Sequence, residues 1–243
     1  MRRCFAFLFA ALTAYAAQLS PTEAALVKTI DAEAPRTTAL LETLVNINSG
    51  TENAAGVRDV ARHMEAELAP LGFTVRWVPM DAVKRAGHLL AEHKGTRGKR
   101  ILINGHMDTV FGPASPFQKF VRTGDRAEGP GTEDMKGGLA VLVSSLRALQ
   151  AAGVLDPMRI RIVLTGDEEN PGEPNSISRK DLVDAAAESD VALEFEPGIR
   201  VHGIDYASTS RRGVVDWSLH THAVSFHSAR LAVRSWAMGQ GRS

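Results

Sequence analysis

Extended and helical runs alternate through this 243-residue chain, and that alternation constrains the fold more than any other feature. Residues 100–104 (Arg-Ile-Leu-Ile-Asn) and 159–165 read as strands, the second carrying Ile160, Ile162 and Leu164 at every other position. Between them residues 135–152 form a long helical run that Gly153 ends. Residues 185–190 lead into a further strand over 191–195. Nearer the start, residues 20–71 are helical, with Leu40, Leu41, Leu44 and Val45 on one stripe and Val57, Val60, Ala61, Met64 and Leu68 on another. Gly72 supplies the left-handed stop, and strands are expected over 73–78 and 89–92. This order predicts an α/β domain, a mostly parallel sheet flanked by helices. Ligands of such sheets sit beyond the carboxyl ends of the strands, so chemistry is to be sought there.

The first sixteen residues stand apart from that pattern. Arg2 and Arg3 precede an uncharged apolar block from Cys4 to Ala16 that ends Ala14-Tyr15-Ala16, the layout of a secretory signal peptide. The block is too short to span a bilayer. Periplasmic or secreted localisation is therefore expected, with no membrane attachment after cleavage. Cleavage would remove Cys4, the only cysteine, and with it any disulfide or thiolate ligand. Full-chain charges balance at 28 basic and 28 acidic residues. Such a balance gives no sign of a nucleic-acid surface.

Four segments place metal-type side chains just past the expected strand ends. They are Gly105-His106-Met107-Asp108, the run from Gly131 through Glu133-Asp134-Met135-Lys136 to Gly138, Gly166-Asp167-Glu168-Glu169, and Phe195-Glu196-Pro197. Taken singly, each is an ordinary solvated loop; their common position at strand ends gives them weight. One imidazole with several carboxylates suits zinc, with cobalt or manganese as alternatives, and does not suit copper or iron–sulfur chemistry. Lys136-Gly137-Gly138 reads as structural, its small residues letting the helix start close onto the sheet.

Over residues 39–228 these motifs resemble the M20 metallopeptidases, a family of carboxypeptidase G-type enzymes, aminoacylases and succinyl-diaminopimelate desuccinylases. Asn48-Ser49-Gly50 also fits the family pattern. The resemblance implies hydrolysis of a peptide or N-acyl amino-acid amide bond with two divalent metal ions, zinc foremost. It implies that Asp134 bridges the ions, that His106 and Glu196 complete one site, and that Glu169 serves the other. A shared carboxylate lets two dications lie about 3.5–4 Å apart. Asp108, two residues beyond His106 on one strand face, would orient the imidazole. Glu168 matches the general base, with Asp167 as its rival; Glu194 similarly competes with Glu196.

From about residue 202 the chain changes character, with strand-like stretches over 201–208 and 214–220 on either side of Arg211-Arg212-Gly213. In the resembling family such a step opens a small α+β lid that also mediates homodimerisation. His227, in Phe226-His227-Ser228, falls where a family histidine reaches a partner's active site to stabilise the oxyanion; His220 and His222 are rivals. The expected organisation is a signal peptide over 1–16, a metal-binding catalytic domain over 17–201, the start of the lid over 202–228, and an aberrant tail over 229–243. The resemblance stops after Ser228, before the family's final histidine ligand. The sequence therefore carries a second expectation, an inactive truncated remnant with at most one intact metal site.

Overall fold

The computed structural model describes residues 19–209. The expected signal peptide, most of the lid with His220, His222 and His227, and the tail lie outside them. The chain opens with α1 (Pro21–Val45), whose first turn is closed by a reciprocal pair. The Glu23 amide donates to the Ser20 hydroxyl at 3.2 Å, and the Ser20 amide donates to the Glu23 carboxylate at 2.7 Å. After a loop, α2 (Ala54–Leu68) starts where the Asn53 side chain accepts from the Gly56 amide. Short 3-10 turns at 69–71 and 81–83 flank β1 (Thr74–Met80). Then come β2 (Arg85–Lys94), β3 (Arg97–His106) and a small hairpin of β4 (Val121–Thr123) and β5 (Arg126–Glu128). Beyond them follow α3 (Lys136–Ala151), β6 (Met158–Thr165), α4 (Asn175–Ser178), α5 (Lys180–Ala187) and β7 (Val191–Glu194).

The central sheet has the order β1-β2-β6-β3-β7. Strands β3, β6 and β7 pair in parallel, and only β2, antiparallel to both neighbours, runs against the rest. The mostly parallel α/β expectation holds. Side chains separate with the two-residue period of a strand. Leu89, Ala91, Ile103, Ile160, Ile162 and Leu164 pack into one core with α1, α2 and α3, while Leu90, Leu102 and Val163 form a second with Ala185 of α5. Both sheet faces are thus covered, and the β3, β6 and β7 carboxyl ends share one edge of the layer.

Two local expectations need correction. The strand expected over 89–92 is longer and begins at Arg85. The run expected as one strand from 201 is a hairpin of β8 (Ile199–Val201) and β9 (Ile204–Tyr206). His202 and Gly203 turn it with φ of 50° and 79°, left-handed values that glycine adopts freely and that the β-branched flanks Val201 and Ile204 would resist.

Candidate active site

His106 is the last residue of β3, Glu168 and Glu169 follow β6, Glu196 follows β7, and Asp134 stands just before α3. Parallel pairing of β3 with both β6 and β7 brings the first three of these segments to one sheet edge, and the start of α3 meets them there. His106 is buried, and its Nε2 lies 2.8 Å from Asp134 Oδ1 and 3.9 Å from Glu196 Oε1. The amide of His106 donates to the Met135 sulfur at 3.0 Å, tying the strand end to the start of α3. Two sets of candidate ligand atoms converge, each within 4.8 Å of one another: His106 with Asp134 and Glu169, and His106 with Glu168 and Glu196. All the candidate metal ligands meet around one imidazole. The grouping differs from the expected one, since His106 rather than Asp134 is common to both sets.

Asp108 is fully buried beneath this cluster. The His106 Nδ1 faces the Asp108 backbone carbonyl at 3.0 Å and its Oδ1 at 3.4 Å. Orientation of the ring by Asp108 is thus shared between main chain and side chain, because β3 ends at His106 and the chain turns there.

The electrostatics are those of a site with too many carboxylates for its cations. Burial alone would lower the basicity of His106, but hydrogen bonding and charge from Asp108, followed by Asp134 and Glu168, push its pKa up to about 9. Burial raises Glu168 above the ordinary carboxylate value; His106 counters this, and the charges of Glu196, Asp108 and Asp134 add to it. Burial and then Asp134 raise Glu169 in the same way. Four carboxylates and an imidazole within reach of one another fit hard or borderline divalent cations, whose charge would relieve that repulsion.

The rivals separate by their surroundings. Asp167 is fully buried and already engaged: Arg179 donates to its Oδ1 at 2.6 Å and to its carbonyl at 2.8 Å, and the Gly172 amide donates to its Oδ2 at 2.9 Å. Glu168 instead faces the cluster. Glu194 ends β7 on the exposed edge, one turn of the pleat before Glu196. His88 and His93 are structural. The Gly166 amide donates to His88 Nδ1, so His88 Nε2 carries the hydrogen and donates to the Ser178 carbonyl at 2.8 Å; His93 packs on Phe73 and bonds the Met158 carbonyl. Buried Lys136 donates to the Ile47 carbonyl at 2.8 Å, with its pKa pushed down to about 8 by burial. It holds the loop after α1.

Two residues of the site carried no sequence signal. Thr51 donates its hydroxyl to Asp108 at 2.6 Å, and Arg179 occupies Asp167. Beside the cluster opens a cavity of about 450 Å³ whose lining includes Val110, Phe111 and Phe117 as well as Glu133, Asp134 and Glu169. Phe111 and Phe117 pack edge to face, 5.0 Å between ring centres.

Comparison with known proteins gives one consistent result. The model of peptidase family M20/M25/M40 matches residues 102–232. Carboxypeptidase G2 of Pseudomonas sp. (strain RS-16) is 37% identical over 170 residues, covering 68% of this chain and 39% of that protein. A succinyl-diaminopimelate desuccinylase of Novosphingobium aromaticivorans is 32% identical over 199 residues, covering 78% of this chain and 51% of the relative. The chain thus spans about half the length, or less, of these curated relatives. Among solved structures, human carnosine dipeptidase 1 shares the fold with a TM-score of 0.58 at 20% identity, over 70% of this chain and 40% of that one. An M20 family metallo-carboxypeptidase from Sulfolobus solfataricus gives 0.54 at 19% identity, over 67% and 38% of the two chains.

Proposed function

The chain belongs to peptidase family M20/M25/M40, and from that membership we propose that its cluster is the metal centre of a hydrolase for peptide or N-acyl amino-acid amide bonds. One observation carries the reading: at the carboxyl ends of three parallel strands and the start of α3, His106 has ligand-type oxygens of Asp134, Glu168, Glu169 and Glu196 within 4.8 Å. His106, Asp134, Glu169 and Glu196 would hold two divalent ions, zinc foremost. Such ions polarise a scissile carbonyl and lower the pKa of water.

Glu168 is the general base. It adjoins a ligand without being committed elsewhere as Asp167 is, and its raised pKa suits a group that takes a proton from the attacking water and returns it to the leaving nitrogen. Asp108 keeps the His106 ring turned so that Nε2 faces the cluster. The cavity of Val110, Phe111 and Phe117 beside Asp134 and Glu169 supports an apolar group on one side of the cleaved bond. His227 as an oxyanion donor across a homodimer, and export with cleavage after Ala16, belong to the same proposal. The second is read directly by N-terminal sequencing of protein recovered from the periplasm or medium, which should begin at Ala17.

The direct test is hydrolysis of a panel of N-acyl amino acids and dipeptides by the zinc-loaded protein. Turnover should disappear with a chelator and return with zinc. Glu168→Gln should keep its metal and lose about 10²–10⁴-fold in rate. Hydrolysis indifferent to chelation, or a fully active Glu168→Gln, would overturn the reading.

A further inference from the structure

The Asp108 carboxylate does more than face His106. Its Oδ1 accepts the Glu168 amide at 3.0 Å and lies 3.4 Å from His106 Nδ1. Its Oδ2 accepts the Glu169 amide at 3.2 Å and the Thr51 hydroxyl at 2.6 Å. One buried side chain thus joins the end of β3, the tip after β6 and the loop between α1 and α2. Both its oxygens are in use, and the four partners lie on three chain segments.

From this geometry we infer that Thr51 is a positioning residue: by fixing Asp108 Oδ2 it sets both the His106 ring and the Glu168–Glu169 tip. The assignment rests on reading the cluster as a metal centre for its consequence, but not for its geometry. Thr51 is itself held. Its amide donates to the Thr109 carbonyl at 3.2 Å, and the Thr109 amide donates to the Ser49 carbonyl at 2.9 Å, so its loop runs as a short parallel bridge beside Asp108 and Thr109. The hydroxyl is thus delivered from a backbone tied to the segment that carries Asp108. Thr51 and His106 are the side-chain partners of this carboxylate. The remaining partners are the backbone amides of Glu168 and Glu169.

A buried carboxylate that loses one of four donors rotates toward those that remain. Without Thr51 Oγ1, Oδ2 keeps only the long bond to Glu169, and the bonds to His106 and Glu168 must readjust with it. Partners one bond removed from a ligand typically govern about 10–100-fold in metal affinity.

The experiment compares the parent chain with Thr51→Val, which keeps the shape and removes the donor, and Thr51→Ser, which restores it. Zinc titration calorimetry should show affinity weakened about tenfold in Thr51→Val and within about twofold of the parent in Thr51→Ser. Hydrogen exchange of the metal-free proteins should show faster exchange at the Glu168 and Glu169 amides in Thr51→Val alone, with the β6 amides before them still protected. That pattern separates positioning from general loosening of the fold. Thr51→Ala serves in the same scheme if Thr51→Val does not fold. Exchange at 168–169 equal in all variants would overturn the inference, as would loss of protection spread evenly over β6. Absence of zinc binding in the parent would defeat the metal-centre reading alone, and the exchange result would still decide the role of Thr51.

Discussion

At the residue scale, the division of labour in Asp167-Glu168-Glu169 follows from which side chain is already satisfied. Asp167 is buried against Arg179 and is a structural acid; Glu168 is exposed toward the cluster. Asp167→Ala should destabilise the fold by about 3 kcal/mol, the low end for breaking a buried pair because Arg179 is partly exposed. Urea denaturation reads this, and a midpoint equal to the parent's would contradict it. The convergence of His106, Asp134, Glu168, Glu169 and Glu196 was legible in the sequence because each sits beside a recognisable strand end or helix start. Thr51 and Arg179 were not. Thr51 meets its partner 57 residues along the chain, and a lone threonine in a polar loop looks like any other until the loop is closed onto β3. The sharing of His106 by both ligand groups was equally out of reach, since it depends on side-chain directions that spacing does not encode.

At the scale of elements, the start of α3 is set by close approach. A Cβ on Gly138 would lie 2.0 Å from the Phe195 carbonyl oxygen, on the segment that carries Glu196. Gly138→Ala must push α3 away from the β7 end, costing about 1–3 kcal/mol by overpacking and weakening zinc binding through Glu196. A variant with parental stability and affinity would refute this. The sequence reading of Gly137-Gly138 as a packing device anticipated the closeness, while the identity of the carbonyl opposite needed the sheet order. A second element-scale prediction concerns the entry to β7, where Asp190 accepts from the Arg100 amide at 2.8 Å and pairs with its guanidinium at 2.7 Å. Those bonds hold the Asp190 carboxyl well below the usual carboxylate range. A depressed folded pKa stabilises above the unfolded value near 3.9 and fades as pH falls toward the folded one. Asp190→Asn should therefore lower the urea midpoint near pH 6, with the gap to the parent narrowing toward about pH 3. A gap that stays constant would contradict the pairing.

At the scale of the whole molecule, the α/β architecture was legible because strands and helices alternate with distinct periods, and the structure covers both sheet faces as that alternation requires. The reversed direction of β2 was not legible. Its apolar run fits either orientation, and only the tight turn at 81–83 makes it antiparallel to β1. What the fold accomplishes is convergence: three parallel strand ends and one helix start bring acidic residues from distant stretches around one histidine. The central claim is that this convergence is a divalent-metal centre. Its most direct measurement is the zinc content of the 243-residue protein and of Asp134→Ala, after equilibration with zinc and removal of the excess. The account predicts bound zinc in the parent and its loss in Asp134→Ala with the fold intact; equal metal in both proteins would contradict it.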